Sequence, residues 1–285
     1  APVVVSLMRM NRVLEVDTMA RVAWVEPGVV NLDLSKHLRP FGYHFAPDPS
    51  SQQVCTLGGN IANNSGGPHC LAYGVTNAHV VAMEVVLPDG EVAMLGGLEP
   101  EPLGYDLRGA FIGGEGTLGI ATRIAVRITP NPPAVRTMLA SFSDVRHAAD
   151  TVSAVIAAGI VPAAMEVMDQ LITRAVENWI HAGYPTDAAA VLLAEVDGLE
   201  DGVEIDAAAI ERIARECGAT EVRRAQDDHE RALLWKGRKS AFSAIAQIAP
   251  DYYLHDTVVP RARLAEVLAE TYRIAERNDV IVMGF

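Results

Sequence analysis

Gly114-Glu115-Gly116-Thr117-Leu118-Gly119, followed by Ile120-Ala121-Thr122-Arg123-Ile124-Ala125-Val126-Arg127-Ile128, is the stretch on which the fold turns. Its first six residues fit G-x-G-x-x-G letter for letter. In a dinucleotide-binding βαβ unit such glycines leave a strand and open a helix whose N-terminus faces the pyrophosphate. Here the residues after the glycines have period two. Ile120, Thr122, Ile124, Val126 and Ile128 share one face and Ala121, Arg123, Ala125 and Arg127 the other, which predicts a half-buried strand. A strand offers no helix dipole, so the nicotinamide-type fingerprint is rejected. The glycines keep two readings of equal weight: a tight turn into the strand, or close approach of the backbone to a flat or charged ligand.

Pro130, Pro132 and Pro133 follow the strand and predict a boundary, with one domain over residues 1–132 and another over 133–285. Before it, Arg12–Asp17 and Arg21–Glu26 read as short strands, and Asn31 or Asp33 caps a helix that Pro40 stops. Val80–Leu95 reads as a hairpin about Pro88-Asp89-Gly90. The apolar start, Ala1–Met8, reads as a buried strand. After the boundary the texture alternates. Strands are expected at Thr137–Phe142, 189–196, Thr220–Arg224 and near Asp251–Asp256. Helices are expected from Val145 to Ile156, from Ile210 to Cys217, and over 228–248 and 261–277. That alternation implies a sheet with helices on one or both faces.

Residues 46–77 show neither period and are crowded with Pro, Ser, Asn and Gly. Apolar anchors at Val54, Leu57 and Ile61 argue that the segment is ordered around something. Gly58-Gly59-Asn60-Ile61-Ala62-Asn63-Asn64-Ser65-Gly66-Gly67 holds four glycines and three asparagines. Such a stretch can take left-handed conformations and aim backbone N–H groups at an anion. Pro47-Asp48-Pro49-Ser50-Ser51 just upstream is a rigid turn with two hydroxyls. The reading favoured is a cofactor-cradling loop rather than a plain surface loop.

Composition narrows the class. The chain has 285 residues, 50% of them hydrophobic and 21% charged, which suits a packed protein of two domains or one large one. Its net charge of −13 disfavours nucleic acid as a partner. No apolar run reaches the roughly 20 residues that span a bilayer. Cys55, Cys70 and Cys217 are too scattered for a disulfide framework and suit a reducing compartment. The expected location is therefore the cytoplasm, with a peripheral place at the inner membrane left open. The histidines lack metal-ligand spacing, and no metal site is expected in this chain. His255 is the one histidine held as a catalytic candidate, because Pro250–Asp256 reads as a strand that delivers polar groups. Trp235-Lys236-Gly237-Arg238-Lys239 places three cations in an acidic protein. It reads either as a solvated basic face or as the seat of a carboxylate-binding arginine.

Taken in order, these motifs resemble those of the vanillyl-alcohol-oxidase-type flavoproteins, in particular the glycolate oxidase and FAD-linked D-lactate dehydrogenase branch. The resemblance is carried by Pro47–Ser51, Cys55–Asn60, Asn64–Cys70, Tyr73–Thr76, Gly113–Gly119, Glu166–Asp169, His181–Pro185, Trp235–Lys239 and Pro250–Tyr253. It implies an α+β fold: a PCMH-type FAD-binding domain followed by a ferredoxin-like cap domain. It also implies FAD held by Pro47, Asp48, Ser50, Ser51, Gly58, Gly59, Asn60, Asn63, Gly66, Gly67 and Gly74, and on the adenosine side by Glu115, Gly116, Gly119 and Ile120. Arg238 would clamp the substrate carboxylate.

The implied reaction is oxidation of a 2-hydroxy acid to the 2-oxo acid, with hydride passing to flavin N5 and electrons leaving to a quinone or a partner subunit. Flavin-fold and iron–sulfur subunits are the partners that the resemblance suggests. The alternative is a non-catalytic flavin-fold scaffold subunit, against which the cations around Arg238 argue. Members of this family carry an upstream Arg-Gly-x-Gly-Thr-like loop and a downstream His-x-Gly-Asp-Gly-Asn-x-His segment that supplies metal-binding histidines. Neither lies within residues 1–285, and the expectation is an internal fragment whose intact protein can also hold a divalent metal.

Overall fold

The computed structural model describes residues 3–99, 104–249 and 251–285, and it divides into one unit up to Asn131 and a second from Pro132 onward.

In the first unit β1 (Val13–Asp17) and β2 (Val22–Val25) form a hairpin, whose turn is closed by Asp17 Oδ1 accepting from the Met19 and Ala20 amides. The chain then forms α1 (Asn31–Leu38), β3 (Tyr43–His44) and three short helices: α2 (Leu57–Asn63), α3 (Cys70–Tyr73) and α4 (Thr76–His79). A second hairpin joins β4 (Val80–Val86) to β5 (Val92–Gly96) through Gly90, whose φ of 88° is left-handed. α5 (Leu107–Phe111), β6 (Ile120–Arg127) and β7 (Thr129–Pro130) complete the unit. β6 lies between β2 and β4 in an antiparallel sheet ordered β1-β2-β6-β4-β5, and β7 pairs with β3. One sheet face carries Ala23, Val25, Met83, Val85, Ile124 and Val126 against Leu34, Leu38, Leu57 and Ile61 of the helices.

Four expectations change here. Neither Asn31 nor Asp33 caps α1, whose N-cap is Val30 with no side-chain cap bond. Val3, Val4, Val5 and Met8 do not form a buried strand; they are 87%, 89%, 65% and 55% exposed and pair with no strand. Apolar composition alone makes no strand where no neighbour offers a ladder. Ala1 and Pro2 of that expectation lie outside the described residues.

The strict alternation of β6 holds only from Arg123 onward. Glu84 pairs with Arg123 but Val85 pairs with Ala121, so Thr122 is an extra residue. This bulge turns Ala121 rather than Ile120 onto the core, and Ile120 is 39% exposed. The Thr122 hydroxyl donates to Glu84 Oε1 at 2.7 Å, which holds the bulge.

Residues 46–77 also contain three short helices rather than none. Thr56 Oγ1 accepts from the Gly59 amide and starts α2, and Asn64, left-handed at φ 47°, ends it. Poor intrinsic helix formers are held helical here by cap and packing.

The second unit runs β8 (Ala134–Phe142), α6 (Val145–Ala157), β9 (Ala164–Asp169), α7 (Gln170–Ile180), β10 (Ala190–Gly198), α8 (Glu200–Glu216), β11 (Ala219–Arg224), α9 (Asp228–Lys239), α10 (Ala241–Ile245) and α11 (Leu264–Arg277). All sheet pairings are antiparallel, in the order β11-β8-β10-β9. β10 is apolar on both faces because both are covered. Ala190, Leu192, Ala194 and Val196 meet α6 and α8, while Val191 and Leu193 meet α7, α9 and α10.

The helix expected over 228–248 breaks at Ser240 into α9 and α10, and the helix expected from 261 opens with a tighter turn at Arg261–Arg263. Asp251–Asp256 is not a strand. Its residues are exposed, Tyr253 84% so, and join no ladder, and alternation without a neighbouring strand buries nothing. Pro250 lies outside the described residues.

Candidate functional site

The two glycine segments are joined in space. The Gly113 amide donates to the Ile61 carbonyl at 2.8 Å and the Glu115 amide to the Ala62 carbonyl at 2.9 Å, so the turn that opens β6 sits on the end of α2. Glu115 at φ 49°, Gly116 at 76° and Gly119 at 154° give this turn its left-handed backbone. Gly119 has a second reason to be glycine: a Cβ there would lie 2.6 Å from the Val86 carbonyl oxygen.

In this upstream stretch the left-handed backbone falls on Asn64, while Gly58 and Gly67 serve close approach. None of Gly58, Gly59, Gly66 and Gly67 has positive φ. A Cβ on Gly58 would lie 2.8 Å from Pro27 Cβ, and one on Gly67 would lie 2.4 Å from the Asp48 carbonyl. Pro27 also accepts from the Gly58 amide at 2.8 Å. The left-handed positions fall instead on Asn64 and Gly74.

Pro47–Ser51 is tied into the same cluster. Asn31 Nδ2 donates to the Pro47 carbonyl at 2.9 Å. Asp48 Oδ2 lies 2.8 Å from His69 Nδ1, and Asp48 Oδ1 accepts from the His69 amide. The Ser51 carbonyl accepts from the amides of Val54 and Cys55, and Ser50 lies in the turn before it. Burial pushes the Cys55 thiol up, so it is a poor nucleophile at neutral pH.

Asn60 is fully buried and neither polar atom of its amide has a partner. Asn31 Oδ1, Asn77 Oδ1 and His79 Nδ1 share that state. Five of the seven buried, unpartnered side-chain polar atoms among the described residues thus cluster around α1, α2 and α4, the other two being His147 Nδ1 and Thr173 Oγ1. Buried polar atoms are normally satisfied, and a concentration of open ones marks a place where a polar group is to be supplied. With glycines packed on both sides, the residues present fit a flat, polar cofactor.

Asn31, Asn64, Asn77 and His79 were not among the expected binding residues. Asn64 carried a signal, since asparagine after a helical turn is a left-handed stop. The others carried none. Asn63 donates to the Gly59 carbonyl, one helical turn back along α2.

In the second unit, Asp227 caps α9 by accepting from the Glu230 amide. Helical spacing then puts Arg231, Trp235 and Arg238 on one face. Arg238 is 9% exposed and is no part of a solvated basic face. Its Nε and Nη2 both donate to Glu166 Oε2 on β9, at 3.1 and 2.7 Å, and its guanidinium lies 4.9 Å from the Phe285 ring centroid. Gly237 lets α9 close on Tyr184, since a Cβ would come 2.7 Å from that ring. The Tyr184 hydroxyl donates to the Leu234 carbonyl at 2.6 Å, and burial pushes its pKa up. The loop before Tyr184 is held by Glu177, whose carboxylate accepts from the amides of Ala182, Gly183 and Tyr184.

Glu166 and Glu195, the acids beneath this helix, were not expected. A lone glutamate inside an apolar strand was the available signal for Glu195. His255 lies in the exposed segment after α10, with its ring 4.7 Å from that of Tyr253. No strand presents it.

Two family descriptions fit the chain: "FAD linked oxidases, C-terminal domain" over residues 131–285 and "FAD binding domain" over 1–96. The glycolate oxidase subunit GlcD of Escherichia coli (strain K12) is 44% identical over 280 residues, which are 98% of this chain and 56% of that protein. The Bacillus subtilis (strain 168) protein of the same name is 42% identical, over 97% of this chain and 59% of its own. A D-lactate dehydrogenase of Anaerostipes hadrus is 32% identical, over 99% and 61%. The chain thus spans little more than half the length of the curated relatives it matches.

Among solved structures, the 4-ethylphenol oxidase from Gulosibacter chungangensis superposes with a TM-score of 0.76 at 19% identity, over 96% of this chain and 61% of that one. That likeness speaks to the fold alone. Among the described residues no helix is long and apolar enough to cross a membrane.

Proposed function

Since this chain belongs to the FAD-linked oxidases, we propose that the intact protein oxidises a 2-hydroxy acid, glycolate or D-lactate, to the 2-oxo acid. The observation that carries the proposal is the near-complete coverage of this chain by a glycolate oxidase subunit and a D-lactate dehydrogenase, whose named substrates share a carboxylate next to a carbinol carbon.

FAD, when bound, supplies the two-electron acceptor for that oxidation. On this reading Pro47, Asp48, Ser50, Ser51, Gly58, Gly59, Asn60 and Asn63 hold it from one segment, with Gly66, Gly67 and Gly74. Glu115, Gly116, Gly119 and Ile120 hold it from the other. The open side-chain amide of Asn60 orients its polar groups, and Gly59 and Gly116, where a Cβ would meet no protein atom closer than 3.6 Å, leave room for its approach. Arg238 takes the substrate carboxylate. Glu166 occupies Nε and one edge of Nη2, which leaves Nη1 and the outer edge of Nη2 for an incoming carboxylate. Buried arginine suits this task because its fork fixes orientation as well as charge. Electrons then leave to a quinone or to a flavin-fold or iron–sulfur partner subunit, with the protein at the cytoplasmic face of the membrane or free in the cytoplasm.

The test uses the full-length protein. A flavin absorption spectrum after purification, or after reconstitution with FAD, is expected, and a colourless protein under both conditions sinks the reading. With glycolate and D-lactate as substrates, Arg238→Ala is expected to raise KM more than Arg238→Lys, because only the first removes the charge. Unchanged saturation in both variants removes Arg238 from the clamp.

A further inference from the structure

We propose that Glu195 is a positioning residue: it fixes the rotation of α9 and thereby the place of Arg238. The inference rests on the reading of Arg238 as the carboxylate clamp. Glu195 is the one acid in the apolar run from Ala190 to Val196 and is 1% exposed. A buried carboxylate is costly, and an apolar residue at such a place often serves stability as well or better.

What Glu195 adds is direction. Arg231 donates to it twice, Nε to Oε2 at 2.9 Å and Nη2 to Oε1 at 2.6 Å. The Trp235 indole N–H donates to Oε2 at 2.5 Å. Thr137 Oγ1, from the neighbouring strand β8, donates to the same oxygen at 2.5 Å.

Arg231 and Trp235 are one helical turn apart, and Arg238 follows one turn later on the same face. A planar fork and an indole N–H, both bound to one immobile carboxylate, leave the helix no freedom to roll. The apolar packing of Leu234 beside them is non-directional and tolerates a small rotation. Register completes the argument. Glu166 pairs with Leu193, which lies on the same sheet face as Glu195 and two residues from it. Arg231, Trp235 and Arg238 therefore rest on two adjacent acidic posts of one sheet, and the first post sets where the second finds its arginine. A side-chain tip about 6 Å from the helix axis moves about 1 Å for a rotation of about 10°. A displacement of that size at a substrate-orienting group costs on the order of 100-fold.

The experiment compares Glu195→Gln, Trp235→Phe, Thr137→Val and Arg238→Ala in the full-length protein. KM and kcat are measured for glycolate and D-lactate, the dissociation constant of oxalate by calorimetry, and amide exchange across residues 228–239 by mass spectrometry. Glu195→Gln is expected to raise KM and the oxalate constant on the order of tenfold, with a smaller fall in kcat and faster exchange in α9. Trp235→Phe is expected to move the same quantities the same way by less, and it serves as the reporter if Glu195→Gln does not fold. Thr137→Val removes a bond to Glu195 that does not come from α9, so it lowers the melting temperature but leaves KM and the oxalate constant unchanged.

The proposal is overturned if Glu195→Gln lowers stability while KM and the oxalate constant stay put, or if Thr137→Val moves them as far as Glu195→Gln does. It is likewise overturned if Trp235→Phe, standing in for an unfolded Glu195→Gln, leaves them unchanged. If Arg238→Ala changes neither constant, the clamp reading falls and this inference with it. If Arg238→Ala raises both and Glu195→Gln raises neither, only this inference falls.

Discussion

Arg238 Nη2 lies 2.7 Å from Glu166 Oε2, and the two side chains are 10% and 19% exposed, so the cation offered to a substrate is already partly neutralised. Glu166→Gln keeps an oxygen for the arginine but removes the opposing charge. It is expected to lower KM for a 2-hydroxy acid. Glu166→Ala leaves the fork unheld and is expected to raise KM and to cost about 3 kcal/mol of stability, the lower end for breaking a buried pair. Steady-state kinetics and denaturant unfolding check both, and a higher KM in Glu166→Gln contradicts the charge argument.

Gly67→Ala tests the close-approach reading of the upstream glycines. The new Cβ would meet the Asp48 carbonyl at 2.4 Å, a backbone contact that no side-chain rotation relieves. A loss of about 1–3 kcal/mol is expected from overpacking, together with weaker FAD binding read by fluorescence titration of the full-length protein. Gly90→Ala is the control. Nothing lies within 4 Å of its Cβ, so only its φ of 88° is strained, at about 1 kcal/mol, and FAD binding should not change.

His79 gives the first unit a pH dependence. Burial holds this imidazole below the usual histidine range, and its Nε2–H donates to the Tyr73 carbonyl at 2.8 Å. The native ring is therefore neutral where the unfolded ring takes a proton. Stability is expected to be unaffected by this group above about pH 6.5 and to fall as pH drops from there toward the lowered native value, by at most about 1.4 kcal/mol per pH unit. Unfolding at pH 7.5 and 5.5 should show a smaller difference in His79→Gln than in the parent, and equal differences would exclude His79 as the cause.

Glu177 accepts from three consecutive backbone amides. Glu177→Ala leaves those donors to water or to nothing and is expected to cost about 1–3 kcal/mol, with faster amide exchange at Ala182, Gly183 and Tyr184. Unaltered protection at those three amides would show that another acceptor holds the loop.

The sequence yielded those parts of the architecture whose signal is local. The period-two run after Gly119, the Asp89-Gly90 turn and the apolar spacing of α6 and α8 each lie within one element, and each formed. The bulge at Thr122 was invisible, because it depends on how β6 meets Glu84 and Val85, some 38 residues away. α2 was missed because glycine and asparagine are weak helix formers, although Thr56 and Asn64 mark its ends. The glycine segments were both singled out, but not the hydrogen bonds that join them across some 50 residues. Arg238 was legible as a cation out of place, whereas Glu166, marked only as the start of a motif in the resemblance, lies 72 residues off in sequence and nothing local paired the two.

The bulge at Thr122 also governs how this strand tolerates changes in length. Its downstream half is locked by Ile124, Val126 and Ile128 in the core, and its upstream half is locked by Gly119 against Val86. Thr122 is the slack between those two fixed points. Deleting it would leave Glu84 opposite Arg123 and Val85 opposite Ala121 in an unbroken ladder, with both halves keeping their faces, whereas an added residue within the strand would swap the core faces or pull the glycine turn off α2. A single insertion in the exposed turn between β4 and β5, by contrast, would be absorbed there, and the joined glycine segments would not feel it.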